Sequence, residues 1–120
     1  MNIYLAKTIE GLKPYGPGYD LTMEAEEKVT KYEIAESDFD LMNLYLIDKI
    51  NFACDSLLDY GDYDYFSPEK CKNMIECINQ MDKSMFPPML TEICNVLTNF
   101  ALVAIESNTG IAIDLWGVYE

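Results

Sequence analysis

The stretch SDFDLMNLYLIDKINFACDSLLD, residues 37–59, decides how the rest of the chain is read. Phe39, Met42, Leu46, Ile50, Ala53 and Leu57 recur at steps of three and four, the spacing that puts side chains on one face of a helix. Ser37 is a candidate N-cap, and Asp40 three residues later gives a weaker form of the capping box, which normally uses Glu or Gln. These features predict a helix over 38–59 whose apolar stripe faces a core. Leu41, Leu44, Tyr45 and Phe52 form a second apolar side. The helix is therefore either sandwiched between other elements or keeps part of that side for a partner.

Downstream, Ser67 followed by Pro68 is a helix start signal, because proline at the first helical position gives up an N–H that would have no partner there. It predicts a surface helix over 68–83 with Cys71, Met74, Ile75 and Ile78 on its buried side. A third helix is predicted from Pro88 to Ser107, with Gly110 able to supply a left-handed stop. Leu90, Ile93, Cys94, Leu97, Phe100, Ala101, Ala104 and Ile105 leave that helix only a narrow polar edge, which makes it the central one.

Both ends of the sequence alternate in the two-residue period of half-buried strands, Ile3 and Leu5 at the start and Ile111, Ile113 and Leu115 at the finish. They are expected to pair with each other. Residues 7–18, with Pro14, Gly16, Pro17 and Gly18, read as a loop, and 22–36 as a helical turn followed by a strand over 29–35. The connector 81–89 reads as a packed interhelical turn, and Trp116 as core or sheet packing. The expected fold is α+β: a three-helix core with a small antiparallel sheet involving the N- and C-terminal strands, in a single domain spanning 1–120.

Charge narrows the function. The 120 residues hold 21 acidic side chains against 8 basic ones, all lysine, with no histidine, for a net charge of −13. Nucleic acid and anionic membrane surfaces are disfavoured as ligands, since both need clustered Lys and Arg. The start of the chain lacks the basic segment and the run of about 7–15 apolar residues of a secretory signal, and the longest apolar run, Phe100 to Ile105, is far short of a bilayer span. A cytoplasmic location is expected.

Catalytic and metal chemistry find little purchase. Without histidine the commonest proton shuttle is absent, and without arginine so is the bidentate clamp for phosphate or carboxylate. Of Cys54, Cys71, Cys77 and Cys94, the closest pair is six residues apart, about 240° around a helix, unlike the close pairs of zinc sites. Buried thiols packing as small hydrophobes are expected. Asp59, Asp62, Asp64 and Glu69 bunch as calcium ligands might, but counting from Asp62 puts Phe66 at the fifth position and leaves Gly61 outside the loop. No enzyme, cofactor or metal is expected.

What stands out is the placing of the acids. From Tyr32 to Glu69, ten carboxylates accompany one base, Lys49, so 38 residues carry −9 of the −13. Crowded like charges weaken a fold, which argues for a use beyond solubility. On a helix, Asp48, Asp55 and Asp59 fall within about 40° of one another as an acidic ridge. The ridge leads into Asp62 and Asp64, which alternate with Tyr63 and Tyr65 after Tyr60. Tyrosines beside carboxylates suit an interface, the rings giving rigid contact area and the acids steering a basic partner. Asp48, Asp55, Asp59, Tyr60, Asp62, Tyr63, Asp64 and Tyr65 are therefore the candidate partner-binding residues. The alternative for the tyrosines is that they fold back to cap the core.

In size, charge and lack of catalytic residues, the chain resembles the small acidic immunity proteins that bacteria encode beside contact-dependent or other polymorphic toxins. The resemblance is one of class and carries over no individual residue. It implies a protein that binds a basic partner, the toxin domain of a cognate effector, and inhibits it sterically and electrostatically. If that toxin is a cationic nuclease, an acidic face suits the surface that otherwise holds nucleic acid. A phage-encoded inhibitor or nucleic-acid mimic, acting on a basic groove of a host defence complex, would use the same face. The abundance of Lys, Asn, Ile and Tyr without Arg fits an AT-rich bacterial or phage genome.

Overall fold

Ile3 and Leu5 alternate with Tyr4 and Ala6 in β1 (Asn2–Ala6), one of the two inner strands of the main sheet. The computed structural model describes residues 1–116. After β1 come the hairpin β2 (Lys13–Tyr15) and β3 (Gly18–Asp20), and then β4 (Val29–Glu33). Two short helices follow, α1 (Glu36–Tyr45) and α2 (Ile47–Cys54), and then β5 (Tyr63–Phe66), α3 (Pro68–Gln80), α4 (Pro88–Ser107) and β6 (Gly110–Asp114). The main sheet runs β4-β1-β6-β5, antiparallel throughout. As expected, the two end strands pair, with Ile3 opposite Ile113 and Leu5 opposite Ile111. The architecture is α+β, with a radius of gyration of 13.4 Å, close to the roughly 13.6 Å of a compact chain of this length.

Side chains alternate across a strand, and here both faces of the sheet are covered. Ile3, Leu5, Phe66, Ile111 and Ile113 point to the helices and meet Met42, Ile50, Met74, Leu90, Ile93 and Leu97 in the main core. Tyr4, Ala6, Val29 and Ala112 point the other way and are closed over by Leu12 and Leu21, with Tyr19, Tyr63 and Tyr65 packed around them. The expectation of half-buried strands is thereby corrected: Ile111, Ala112 and Ile113 are all fully buried. The reason lies in residues 7–18, read as a loop, which instead carry β2 and the start of β3, and so help build a lid over the second face.

Two of the helices start where the sequence places them, although α3 ends at Gln80, three residues before the expected Lys83. Ser67 caps α3, its hydroxyl accepting from the Lys70 N–H at 3.4 Å, with Pro68 in the first turn. α4 begins at Pro88 and sets Leu90, Ile93, Cys94, Leu97, Ala101 and Ala104 into the core. Its 20 residues include an 18-residue window with a mean hydropathy of 1.5, long and apolar enough to span a bilayer by length and composition. In this fold it packs against α3, α1 and the inner strands β1 and β6. Its left-handed stop is Asn108 (φ 55°), not Gly110, asparagine being one of the few side chains that tolerate that conformation.

The helix predicted over 38–59 is corrected most. It begins at Glu36 with Ala35 as N-cap, so Ser37 lies inside the first turn and makes no capping bond. It breaks at Leu46 (φ −125°), which carries both Leu46 and Ile47 into the core, and it ends at Cys54. Asp55 adopts the left-handed conformation (φ 53°), and its N–H returns to the Asn51 carbonyl. The core therefore contains four helices where three were read.

Gly110 and Gly18 are required by one ring. The side chain of Tyr65 lies against both glycines, and a Cβ on Gly110 would overlap the phenol and stand 2.7 Å from the Phe66 carbonyl oxygen. Gly110→Ala is therefore expected to destabilise the protein by about 1–3 kcal/mol in urea unfolding. A loss below about 0.5 kcal/mol would show that Tyr65 does not occupy this slot.

Candidate partner-binding surface

Asn51 organises the region that carries the candidate residues. Its side-chain carbonyl accepts from the Leu58 N–H and the Ser56 hydroxyl, both at 2.8 Å, and its amide nitrogen donates to the Leu58 carbonyl at 2.9 Å. Its backbone carbonyl also accepts from the Ser56 N–H at 3.0 Å. These bonds fold residues 55–58 back over the end of α2 and start the chain toward β5. Asp64 reaches back as well, its carboxylate accepting from the Leu57 N–H at 3.3 Å.

The reversal changes what is exposed. Leu57, expected in the core stripe, is 85 % exposed because the helix that would have buried it stops three residues earlier. On the second apolar side, Leu41 and Tyr45 are half-buried, and Tyr45 packs on Phe86 of the α3–α4 connector. Leu44 and Phe52 stay outside, at 72 % and 92 % exposure. Phe52 borders a groove of about 570 Å³ between α2 and α3, together with Asp48, Lys49, Ala53, Glu76 and Cys77. Three large apolar side chains thus stand in water on and beside α2.

Asp48, Asp55, Asp59 and Asp62 are all exposed. They do not form the predicted helical ridge: Asp48 is on α2, Asp55 is its left-handed cap, and Asp59 and Asp62 belong to the following turn, closed by the Asp62 N–H to the Asp59 carbonyl at 3.0 Å. None of them is paired with a lysine. Among the described residues the ion pairs are Lys28 with Glu24 and Lys31 with Glu33, the latter at the edge of the acidic stretch 32–69 and neither involving these four aspartates. The carboxylates therefore keep their field toward solvent.

The tyrosines are used internally. Tyr60 packs edge-on against Phe39, ring centres 5.3 Å apart, and its hydroxyl donates to Glu36 at 2.8 Å. Tyr63 and Tyr65 are residues of β5, not of a loop, and face the hairpin. The Tyr63 hydroxyl donates to the Tyr19 carbonyl at 2.6 Å and accepts from the Leu21 N–H at 2.9 Å, pinning the lid to the sheet. The Tyr65 ring meets Tyr19 edge-on at 5.5 Å. Of the two readings of these tyrosines, packing holds for all three, and Asp64, on the opposite face of β5, is half-buried against the loop. The exposed apolar area of this region comes from Leu44, Phe52 and Leu57 instead. Leu44 and Phe52 were visible as a second apolar side; Leu57 was hidden by extending the helix past Cys54.

No protein family, curated protein or solved structure matches this chain.

Among the described residues no three Cys, Asp or Glu side chains converge as they would on a metal ion. Burial pushes the Cys54 thiol up to about 11 and the Cys71 thiol up to about 12, and raises Cys77 and Cys94 as well. Thiols held protonated at neutral pH are poor nucleophiles. Burial also raises Tyr63 and takes Tyr65 to about 12, while Tyr32 reaches about 12 mainly through its hydrogen bond to Glu92.

Three predictions follow from this geometry. Cys77, half-exposed in the groove, should react with a thiol reagent in the native protein well before the buried Cys54, Cys71 and Cys94, as peptide mapping after limited alkylation would show. Equal labelling of all four would contradict the packing of α2 on α3. Because Tyr32 and Tyr65 are raised above their ordinary value of 10.0, the stability they contribute is fully present below pH 10 and lost as pH rises toward 12. Unfolding free energies measured across that window should fall. Asn51→Ala removes three side-chain hydrogen bonds and should cost about 2–3 kcal/mol in the same assay.

Proposed function

We propose that this protein is a partner-binding inhibitor, an immunity protein that neutralises the cationic toxin domain of a cognate effector in the cytoplasm. The observation that carries the reading is Phe52, 92 % exposed beside a groove, with Leu44 and Leu57 similarly exposed and the unpaired acids Asp48, Asp55 and Asp59 on the same stretch of chain. Large apolar side chains left in water among mostly acidic charges, with Lys49 the one base in the groove, match the anatomy of an interface: anchors that bury on docking, inside a rim that selects the partner. Carboxylates without internal counter-ions steer a basic surface, raising association rates by about 10 to 1,000-fold at low salt.

A binder fits the remaining chemistry better than a catalyst. Histidine and arginine are absent, and all four thiols are raised by burial. A cationic nuclease is the toxin type favoured, since an acidic face competes for the surface that such an enzyme offers to phosphates.

The test is capture from the native host on immobilised protein, followed by expression of the captured partner alone and together with this chain. A basic protein that arrests growth alone and is tolerated in co-expression is the expected result. Phe52→Ala should weaken the complex by about 30-fold or more, as removal of a buried anchor does. Asp48→Lys with Asp55→Lys should slow association and reduce its salt dependence. A partner that is harmless alone, or binding indifferent to all three substitutions, would contradict the proposal.

A further inference from the structure

A second feature lies on the other side of β5, at the open end of the lid. Tyr15 of β2, Tyr63 of β5 and Trp116 just beyond β6 border a depression of about 380 Å³, together with Asp20, Asp114 and Gly61. Tyr15 and Tyr63 meet edge-on, with ring centres 5.6 Å apart at 85°. Trp116, expected to pack in the core or on the sheet, is 67 % exposed, and Tyr15 is 56 % exposed.

The two carboxylates are held by short-range hydrogen bonds, and among the described residues neither is in an ion pair. One oxygen of Asp20 accepts from the Thr22 N–H at 2.9 Å and the Thr22 hydroxyl at 2.7 Å, bonds that hold its carboxyl below the usual value. One oxygen of Asp114 accepts from the Trp116 N–H at 3.0 Å, tying the acid to the indole's own residue. Asp114 sits directly across the ladder from Tyr63, so the two side chains share the lid face of the sheet. Lys13, across the hairpin from Asp20, helps lower it through its charge without reaching ion-pair distance, and no lysine lines the depression. In each acid these bonds engage a single oxygen, and both residues line the depression.

We infer that this depression is a receptor for a guanidinium group, the side chain of an arginine presented by a partner protein. Aromatic faces attract a cation through the ring quadrupole, and guanidinium also stacks flat on a ring. Its planar fork of N–H donors can bond carboxylate oxygens in pairs, which a point-like ammonium does not, and two carboxylates line this depression. A quaternary ammonium would use the rings but gain no hydrogen bond from Asp20 or Asp114. The inference does not rest on the reading of Phe52 and α2; either can fail while the other stands.

Trp116 is the only tryptophan in the chain, so its emission reports on the depression directly. The test is a fluorescence titration of the intact protein with N-acetyl-arginine methylamide, and with the lysine analogue and tetramethylammonium at matched ionic strength. The arginine probe should give a saturable change in the millimolar range, at least about fivefold tighter than either other cation. Asp114→Asn should weaken it about tenfold, as loss of a charge-assisted bond does, and Tyr15→Ala should weaken it too. Glu106→Gln, an equal loss of charge on α4, should leave it unchanged. Non-saturating changes of equal size for all three cations would overturn the inference, as would tightest binding of tetramethylammonium or binding that survives Asp114→Asn.

Discussion

Everything distinctive about this surface follows from the way Asn51 ends a helix. An apolar stripe that reads as continuous to Leu57 is cut at Cys54, because the Asn51 side chain offers Ser56 and Leu58 hydrogen bonds that compete with another helical turn. Asp55 accepts a left-handed conformation to make the turn. The reversed chain can then reach the sheet edge as β5, which delivers Phe66 to the helices and Tyr63 and Tyr65 to the lid. Without the reversal, Leu57 would be buried and β5 would have no route to β6.

The fold resolves a conflict set by its composition. A net charge of −13 on 120 residues opposes compaction. Opposing it is a sheet buried on both faces, with fully covered side chains from β1, β6 and β5 between four helices and a hairpin lid. The acids are kept out of both cores: the only buried polar residues among those described are Ser56 and Thr109. Repulsion is thus confined to solvent-facing positions, where screening weakens it.

Much of this was legible from residues alone. Ser67-Pro68 and Pro88 mark helix starts by chemistry local to those positions, and the alternation around Ile3 and Ile113 states a strand period that the pairing then satisfies. The failures are cases where a distant contact overrules local pattern. Ser37 looks like a cap, yet the helix starts one residue before it. Gly110 looks like a helix stop, yet Asn108 does that work and Gly110 is kept small by Tyr65, 45 positions away. Residues 12–21 have too few apolar side chains to announce a hairpin, and their burial of Leu12 and Leu21 depends on Tyr63 and Tyr65 arriving beneath them.

At the surface, the acidity of 32–69 was readable by counting, whereas its arrangement was not. Asp48, Asp55 and Asp59 were spaced for a ridge only on a helix that does not extend that far. The Tyr63 and Tyr65 alternation with Asp62 and Asp64 was a strand signal, and it points the rings inward under the lid. The most direct measurement of the account is backbone NMR assignment of residues 47–66, with chemical shifts and nuclear Overhauser contacts. The account requires helical shifts that stop at Cys54, a positive φ at Asp55, and contacts between the Asn51 side-chain amide and Leu58. Helical shifts running unbroken to Asp59 would contradict it.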